Sequence, residues 1–201
     1  MALDVIIVGG GIVGLATAHR LLESKPDLKI ALFEKENMVS MHQTGNNSGV
    51  IHSGLYYKPG SLKAKNCIEG YHQLIDYCQK EGIPFELTGK IVVASFEHER
   101  SALENLYQRG IQNGLEGLKK LSLSEMQEHE PHVTGVEGMW VPQTGIVDYR
   151  AVAAKLATGI QIKGCELHLA EQVINITKGL TYSIVETNKS TYEAKLIINC
   201  A

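Results

Sequence analysis

The sequence predicts an α/β fold in which a mainly parallel sheet carries helices and a smaller α+β lobe is inserted into the chain. Three observations predict this fold: a strand, a glycine-rich turn and a helix open the sequence, a different pattern occupies its middle, and two strands lie near its end. The 201 residues are 44% hydrophobic, which is enough to bury a core for one domain or one and a half.

The first strand and helix are joined by glycines. Asp4–Val8 is a short β-branched run, and apolar residues recur at helical spacing over 12–23. The turn between them reads G-x-G-x-x-G at Gly9, Gly11 and Gly14. In such a turn the first glycine allows the bend, the second lets the backbone approach a pyrophosphate, and the third lets helix and strand pack closely. This motif predicts a Rossmann-like dinucleotide-binding domain.

A second strand over Leu28–Phe33 ends at an acidic residue, Glu34. A carboxylate at this position can accept hydrogen bonds from both ribose hydroxyls of an adenosine. Because no arginine follows at once and a carboxylate would repel a 2′-phosphate, the sequence favours NAD or FAD over NADP. We assign the adjacent Lys35 to the same cofactor site.

A long connection from Met38 to Tyr57 takes the place of further βα units. It is rich in glycine, hydroxyl and amide groups and carries scarcely a charge. A structureless loop of this length is usually functional, and these groups suit a pyrophosphate, a ribityl chain and the edge of a ring. We therefore interpret the loop as a flavin cradle. The cofactor residues predicted within it are Thr44, Asn47, Ser48 and Gly49.

The middle of the chain predicts the inserted α+β lobe, and its end predicts a return to the nucleotide domain. We expect Asp148 to cap a helix that runs through Leu156. The next strand, which contains Val173, resembles a strand whose backbone contacts adenine in known flavoproteins. The other predicted elements are a helix starting near Ser61, a strand pair over Phe85–Ala94, a helix over Glu97–Asn113 capped by Ser95, a short helix with a capping box at Ser124–Gln127, and strands over Leu180–Glu186 and Tyr192–Asn199.

Three segments resemble a known family in matching order: HQTGNNSGVIHSGLYYKPGSLKAKNCIEGYHQLIDYCQKEGI, TGKIVVA and TGIVDYRAVA. The family is that of the FAD-dependent oxidoreductases that include D-amino-acid oxidase, glycine oxidase and flavin-linked glycerol-3-phosphate dehydrogenase. Within it, the chain is most similar to the L-2-hydroxyglutarate oxidase and dehydrogenase branch. The resemblance implies a glutathione-reductase-like fold, FAD as cofactor, and oxidation of L-2-hydroxyglutarate to 2-oxoglutarate.

The resemblance also predicts the domain organisation. Residues 1–84 and 141–201 are expected to form a discontinuous FAD-binding domain, and residues 85–140 part of a substrate-binding lobe. The final run, Lys195–Ala201, resembles a family strand that continues into a glycine, and the chain stops one residue before it. We therefore expect an N-terminal fragment that does not turn over substrate by itself.

Flavin-dependent oxidation of a 2-hydroxy acid needs hydride transfer to flavin N5 and a base near the hydroxyl group. His52, in the predicted flavin loop, is the candidate base, since neutral imidazole accepts protons near pH 7; a purely structural hydrogen bond is the alternative. Tyr56 and Tyr57 are candidate substrate residues, with core packing as their alternative. We predict no metal site, because Pro131 would break the helix that aligns two nearby histidines. The candidate cations for substrate carboxylates are Lys58, Lys63, Lys65, Lys90 and Arg150.

The charge and the termini exclude several classes of protein. A net charge of −3 offers no basic field for nucleic acid, and the sequence shows neither a secretion signal nor a membrane span. Four widely spaced cysteines favour reduced thiols and a cytoplasmic location. Two electron acceptors stay open, oxygen and a membrane quinone, and the second would add a peripheral contact with the inner membrane. Two other functions also stay open: an amine or amino-acid oxidase of the same fold, and a dinucleotide-binding module without catalysis.

Overall fold

A computed structural model describes residues 2–201 as an alternation of helices and strands. The helices are α1 (Ile12–Ser24), α2 (Leu62–Glu81), α3 (Arg100–Gln112), α4 (Leu123–His129) and α5 (Tyr149–Ile162), with 3₁₀ turns at Gln43–Gly45 and Glu97–Glu99. The strands are β1 (Leu3–Val8), β2 (Ile30–Phe33), β3 (Val50–Ile51), β4 (Phe85–Glu86), β5 (Lys90–Ala94), β6 (Lys119–Leu121), β7 (Glu137–Val141), β8 (Gly145–Val147), β9 (Glu166–His168), β10 (Val173–Thr177), β11 (Ser183–Thr187) and β12 (Thr191–Asn199).

The largest sheet has the strand order β10-β11-β12-β1-β2-β9. Strands β12, β1, β2 and β9 run parallel to one another, whereas β10, β11 and β12 form an antiparallel meander. Ile6 and Ile7 are fully buried and point to opposite faces, so β1 is covered on both sides, as a parallel strand in an α/β protein requires. The predicted α/β fold with a mainly parallel sheet is confirmed.

The chain divides into two compact units at other positions than we predicted. The first unit comprises the described residues through Ser48 together with Tyr149–Ala201, and the second unit comprises Gly49–Asp148. The predicted boundaries lay at 84/85 and 140/141. Residues 49–84 and 141–148 join the second unit because β3 and β4 both pair with β8 in a sheet of their own. The functional names of these units stay predictions.

In the second unit, β4 and β5 are two strands, as expected, but they do not pair with each other. Strand β4 pairs with β8, while β5 pairs with β7 in a sheet of order β5-β7-β6. The reason is Gly89, whose left-handed φ of +66° turns the chain between the two sheets.

The starts of two helices also differ from the predictions. The 3₁₀ turn that precedes α3 is held by the Glu99 carboxylate, which accepts from the Ser95 backbone N–H at 2.7 Å. The cap of α4 is Ser122, two residues before the predicted capping box. Its hydroxyl accepts from the Glu125 N–H, and the Glu125 carboxylate accepts from the Ser122 N–H at 2.7 Å.

Candidate functional site

A cavity of about 490 Å³ opens in the first unit, beside the ends of β1 and β2. This position, outside the carboxyl ends of parallel strands, is where open α/β sheets bind their ligands. The volume lies within the usual range for small-molecule sites. The lining comes from four segments, which are residues 8–13, residues 33–35, residues 40–44 and residues 171–173, together with Cys200 and Ala201.

The three motif glycines have distinct surroundings. Gly9 has a φ of +108°, and a Cβ there would lie 2.8 Å from the Cys200 carbonyl oxygen. A Cβ at Gly14 would collide with the carbonyl oxygen of Gly9, so helix and strand pack closely at this point. Gly11 lines the cavity, where a Cβ would only reach ordinary contact with the Thr44 hydroxyl at 3.4 Å. This geometry supports the roles predicted for the three glycines.

Glu34 is a buried carboxylate in the cavity wall, with 8% of its surface exposed. Its Oε2 accepts from the Gly10 N–H at 2.6 Å, and its Oε1 accepts from the Glu36 N–H at 3.0 Å. An ionised carboxylate offers about four acceptor positions. Glu34 can therefore fix the glycine turn and still accept both hydroxyls of a ribose.

The predicted flavin loop is more ordered than the sequence suggested. It contains the 3₁₀ turn Gln43–Gly45 and the strand β3. The Thr44 hydroxyl accepts from the Ile12 N–H at 3.0 Å, which satisfies one free donor at the start of α1. The Asn47 side chain donates to the Thr44 carbonyl at 2.6 Å, and Arg150 Nε donates to the Gly45 carbonyl at 2.9 Å. Part of the loop's polarity thus stabilises its own conformation.

The structure brings some of the predicted cofactor residues together and leaves others apart. Gly14, Asn47 and Ser48 belong to the first unit but do not line its cavity. Gly49 begins the second unit, where it has a φ of +69° and where an added Cβ would lie 3.0 Å from the Val147 carbonyl oxygen. The predicted residues that line the cavity are Gly9, Gly11, Glu34, Lys35, Thr44 and Val173.

Two buried polar residues of the lining were not predicted from the sequence. Ser40 is buried in a left-handed conformation with φ +64°, and its hydroxyl has no hydrogen-bond partner in residues 2–201. No local pattern signals such a serine. Glu171 is 4% exposed and lies directly before the predicted adenine strand, where its acidic character was the available signal.

The Glu171 carboxylate is held by three side chains. Its Oε1 accepts from the Thr187 hydroxyl at 2.7 Å and from the Tyr192 hydroxyl at 2.9 Å, and its Oε2 lies 3.2 Å from His168 Nδ1. Burial alone would raise the pKa of Glu171, but the two hydroxyls and the histidine together lower it. Burial and the Glu171 hydrogen bond raise the pKa of Tyr192 to about 12.

The candidate catalytic and substrate residues lie in the second unit. The His52 side chain is exposed and makes no hydrogen bond within the described residues, while its carbonyl oxygen lies 3.5 Å from Cys67 Sγ. Tyr56 is 51% exposed and Tyr57 is 40% exposed, so neither ring belongs to a core. Lys90 Nζ donates to the Tyr56 hydroxyl at 3.3 Å and lies 4.4 Å from the centre of its ring.

Residues 2–201 contain neither a metal-ligand cluster nor a helix able to span a membrane. In that range no cluster of three or more potential metal ligands occurs, and His129, one of the two nearby histidines, stacks on Trp140 with ring centres 4.3 Å apart. None of the helices described there has the length and apolarity needed to cross a bilayer. All four cysteines are free thiols.

The sequence profile of the family described as FAD dependent oxidoreductase (DAO) matches residues 4–201. The chain therefore belongs to this family of flavoenzymes, and the predicted cofactor, FAD, is confirmed. The cavity fits that cofactor on its own evidence, since it combines an open glycine turn with a buried carboxylate.

Relatives named as L-2-hydroxyglutarate dehydrogenases match the chain over nearly its whole length. The enzyme of Indibacter alkaliphilus is 55% identical over 201 residues, which are 100% of this chain and 50% of that protein. The human mitochondrial enzyme is 42% identical over 211 residues, covering 98% of this chain and 45% of that protein. The predicted resemblance to this branch is confirmed. The chain spans about half the length of these relatives.

Two solved structures share the fold. The reduced L-α-glycerophosphate oxidase of Mycoplasma pneumoniae, with FAD bound, has a TM-score of 0.90 at 34% identity and covers 98% of this chain and 53% of its own. Glycine oxidase from Geobacillus kaustophilus has a TM-score of 0.89 at 23% identity. The match covers 100% of this chain and 55% of that chain. The second likeness shows the fold alone.

Proposed function

We propose that this chain is part of an FAD-dependent oxidoreductase that converts L-2-hydroxyglutarate to 2-oxoglutarate. The observation that carries the redox half of the proposal is the cavity of the first unit, with its glycine turn and the buried Glu34 carboxylate. The substrate half is supported by relatives that are named L-2-hydroxyglutarate dehydrogenases and are 55% and 42% identical.

The first unit is proposed to hold the adenosine and pyrophosphate of FAD. Glu34 accepts the ribose hydroxyls, Gly11 leaves space for the pyrophosphate, and the backbone of Val173 contacts adenine. When bound, FAD supplies the two-electron acceptor at N5 that a hydride needs. The remaining cofactor contacts that we propose are Gly9, Gly14, Lys35, Thr44, Asn47, Ser48 and Gly49.

His52 is proposed as the general base. As the hydride leaves the carbon that bears the hydroxyl, the hydroxyl proton must be accepted so that the carbonyl can form. The exposed His52 imidazole, without a side-chain partner among the described residues, has a nitrogen available for this proton. Tyr56 and Tyr57 are proposed to line the substrate site with their exposed hydroxyl groups.

The test is anaerobic reduction of the flavin in the FAD-loaded whole protein of which this chain is part. L-2-hydroxyglutarate should abolish the flavin's visible absorption, whereas glycine and sarcosine should not. Reduction by the amines alone would instead identify an amine oxidase, and tight FAD binding without reduction by any of them would identify a non-catalytic module. His52→Ala should slow reduction by about a hundredfold, the usual contribution of a placed base, without loss of FAD.

The electron acceptor is proposed to be oxygen or a membrane quinone. Mixing the reduced protein with air, or with a soluble quinone in the absence of air, separates them by the rate at which the flavin is reoxidised. We propose a cytoplasmic location in either case. Preference for the quinone would add a peripheral contact with the inner membrane, which sedimentation with vesicles would measure.

A further inference from the structure

We propose that Lys90 and Tyr56 together bind a carboxylate group of the substrate. The inference rests on the proposed function for the identity of the ligand, a 2-hydroxy dicarboxylate, but the site itself rests on the geometry of the second unit. It assigns to Lys90 a role in specificity, because a dicarboxylate needs a cation that a monocarboxylate can do without.

The two side chains place two donors at one point. Lys90 Nζ lies 3.3 Å from the Tyr56 hydroxyl, and Tyr56 is 51% exposed. A carboxylate bound there can accept one hydrogen bond from the ammonium group and one from the phenol. Hydrogen bonds from a charged donor to a carboxylate are stronger than neutral ones.

Lys90 is also a cation without an anion. None of the ion pairs among residues 2–201 involves it, although it is half-buried. Its hydrogen bond goes to the neutral Tyr56 hydroxyl instead. By contrast, Lys120 in the same unit is paired with Glu104. The charge of Lys90 is thus available to a ligand.

The backbone on both sides of the pair is held in place. Lys90 begins β5 opposite Val141, and the preceding Gly89 N–H donates to the Thr144 carbonyl at 2.8 Å. On the other side, Arg109 donates to the Tyr56 carbonyl at 3.0 Å, and Asn113 donates to the Tyr57 carbonyl at 2.9 Å. Both donors therefore come from fixed positions, which lowers the entropy cost of binding.

The second unit also contains two buried hydroxyls without a partner among the described residues. Ser53 and Thr144 are 6% and 4% exposed, and neither side-chain oxygen has a hydrogen-bond partner. Ser53 lies three residues before Tyr56 in the chain, and the Thr144 carbonyl accepts from the N–H of Gly89, the residue before Lys90. Buried polar groups without partners are uncommon and call for an absent ligand or water.

The experiment measures binding of glutarate, a dicarboxylate that cannot be oxidised at a hydroxyl, to FAD-loaded protein by isothermal calorimetry. Lys90→Met should weaken glutarate binding by roughly 10- to 100-fold, the effect of losing one charged hydrogen bond. Lys90→Arg should retain most of the affinity, and Tyr56→Phe should lose a smaller part. The matched control is Lys119→Met, an exposed strand lysine of the same unit that makes no ion pair within the described residues.

Flavin reduction then tells which carboxylate is bound. Lys90→Met is expected to raise KM for L-2-hydroxyglutarate with little change in kcat. If KM for L-2-hydroxypentanoate, which lacks the remote carboxylate, stays unchanged, Lys90 binds the remote carboxylate; an equal rise assigns it the carboxylate next to the hydroxyl. Either result supports the subsite.

The outcomes separate the subsite from the proposed function. Wild-type protein that binds glutarate through Lys90 but shows no flavin reduction by L-2-hydroxyglutarate keeps the subsite and rejects the function. The subsite is rejected if Lys90→Met has the same glutarate affinity and the same KM as wild type. It is also rejected if the wild-type protein binds no glutarate. If Lys90→Met fails to fold, Lys90→Gln and Tyr56→Phe supply the same comparison, with FAD affinity as the check on folding.

Discussion

Glu34 shows how one side chain can serve a ligand and the fold together. Its carboxylate accepts from two backbone N–H groups, those of Gly10 and Glu36, while it lines the cavity. The acid was recognisable in the sequence as a ribose acceptor. Its bond to the glycine turn was not, because that bond depends on how closely β2 ends beside the turn.

Glu34→Ala should therefore weaken FAD binding and lower the thermal stability of the FAD-free protein. Each charged hydrogen bond to ribose contributes on the order of 1.5–3 kcal/mol, so the affinity should fall at least about tenfold. Fluorescence titration with FAD and a melting curve measure the two effects. Glu186→Gln, an exposed carboxylate of the same unit outside the cavity wall, is the matched control. An unchanged FAD affinity in Glu34→Ala would remove Glu34 from the site.

Cys200 gives a second residue-level prediction, because it is half-buried and lines the cavity. Bound FAD should slow the alkylation of Cys200 by N-ethylmaleimide, as measured by mass spectrometry. Cys67, a half-buried thiol of the other unit, should react at a rate that does not depend on FAD. Burial raises the pKa of Cys165 to about 12, so that thiol should stay unmodified at neutral pH. Equal labelling of Cys200 with and without FAD would contradict the cavity assignment.

At the scale of elements, different glycines of the turn between β1 and α1 serve helix packing and ligand binding. Gly14 is where the helix meets the strand, and Gly11 is where the turn meets the cavity. The same motif thus contains one position that the fold requires and one that the ligand requires.

Gly14→Ala should destabilise the protein with or without FAD, because its methyl group would collide with the Gly9 carbonyl. Gly11→Ala should keep the melting temperature of the FAD-free protein, since its methyl group meets only the Thr44 hydroxyl at 3.4 Å, but should weaken FAD binding. Melting curves and FAD titrations of both variants give the comparison. A Gly11→Val variant that binds FAD normally would contradict the assigned phosphate contact.

The hairpin of β11 and β12 carries a pH-dependent contribution to stability. The pKa of Tyr192 is raised from 10.0 to about 12 in the folded chain. Between these values the unfolded chain loses a proton that the folded chain keeps, so this contribution is present below pH 10 and is lost as the pH rises. The free energy of unfolding, measured with urea, should therefore fall less with rising pH in Tyr192→Phe than in wild type. Tyr182→Phe, an exposed tyrosine of the same unit, should behave like wild type.

On the scale of the whole chain, the sequence predicted the strand, turn, helix and acid of the first unit because neighbouring residues specify them. The boundary at Ser48 could not be predicted, since it depends on the pairing of β3 with β8, far along the chain. The left-handed Ser40 was equally hidden, because a serine in that conformation is imposed by its surroundings. Local patterns thus specified the elements beside the cavity better than the limits of the compact units.

FAD should protect backbone amides in segments that are distant in sequence but share the cavity. Hydrogen exchange of Gly9–Val13, Ser40–Thr44 and Glu171–Val173 should slow together when FAD binds. The loop Lys178–Tyr182, in the same unit but outside the cavity wall, serves as the internal control. Protection confined to Gly9–Val13 would mean that the other two segments do not contact the cofactor.

The pairing of β1 with β12 also sets a delay during biosynthesis. Asp4 and Lys195, which form an ion pair across these strands, are 191 positions apart. A ribosome adds roughly 5–20 residues per second, so β1 is synthesised on the order of 10–40 s before its neighbour. For that time one edge of a strand containing Ile6 and Ile7 stays without its partner. The nascent chain is therefore expected to need a chaperone that covers this strand until β12 has been translated.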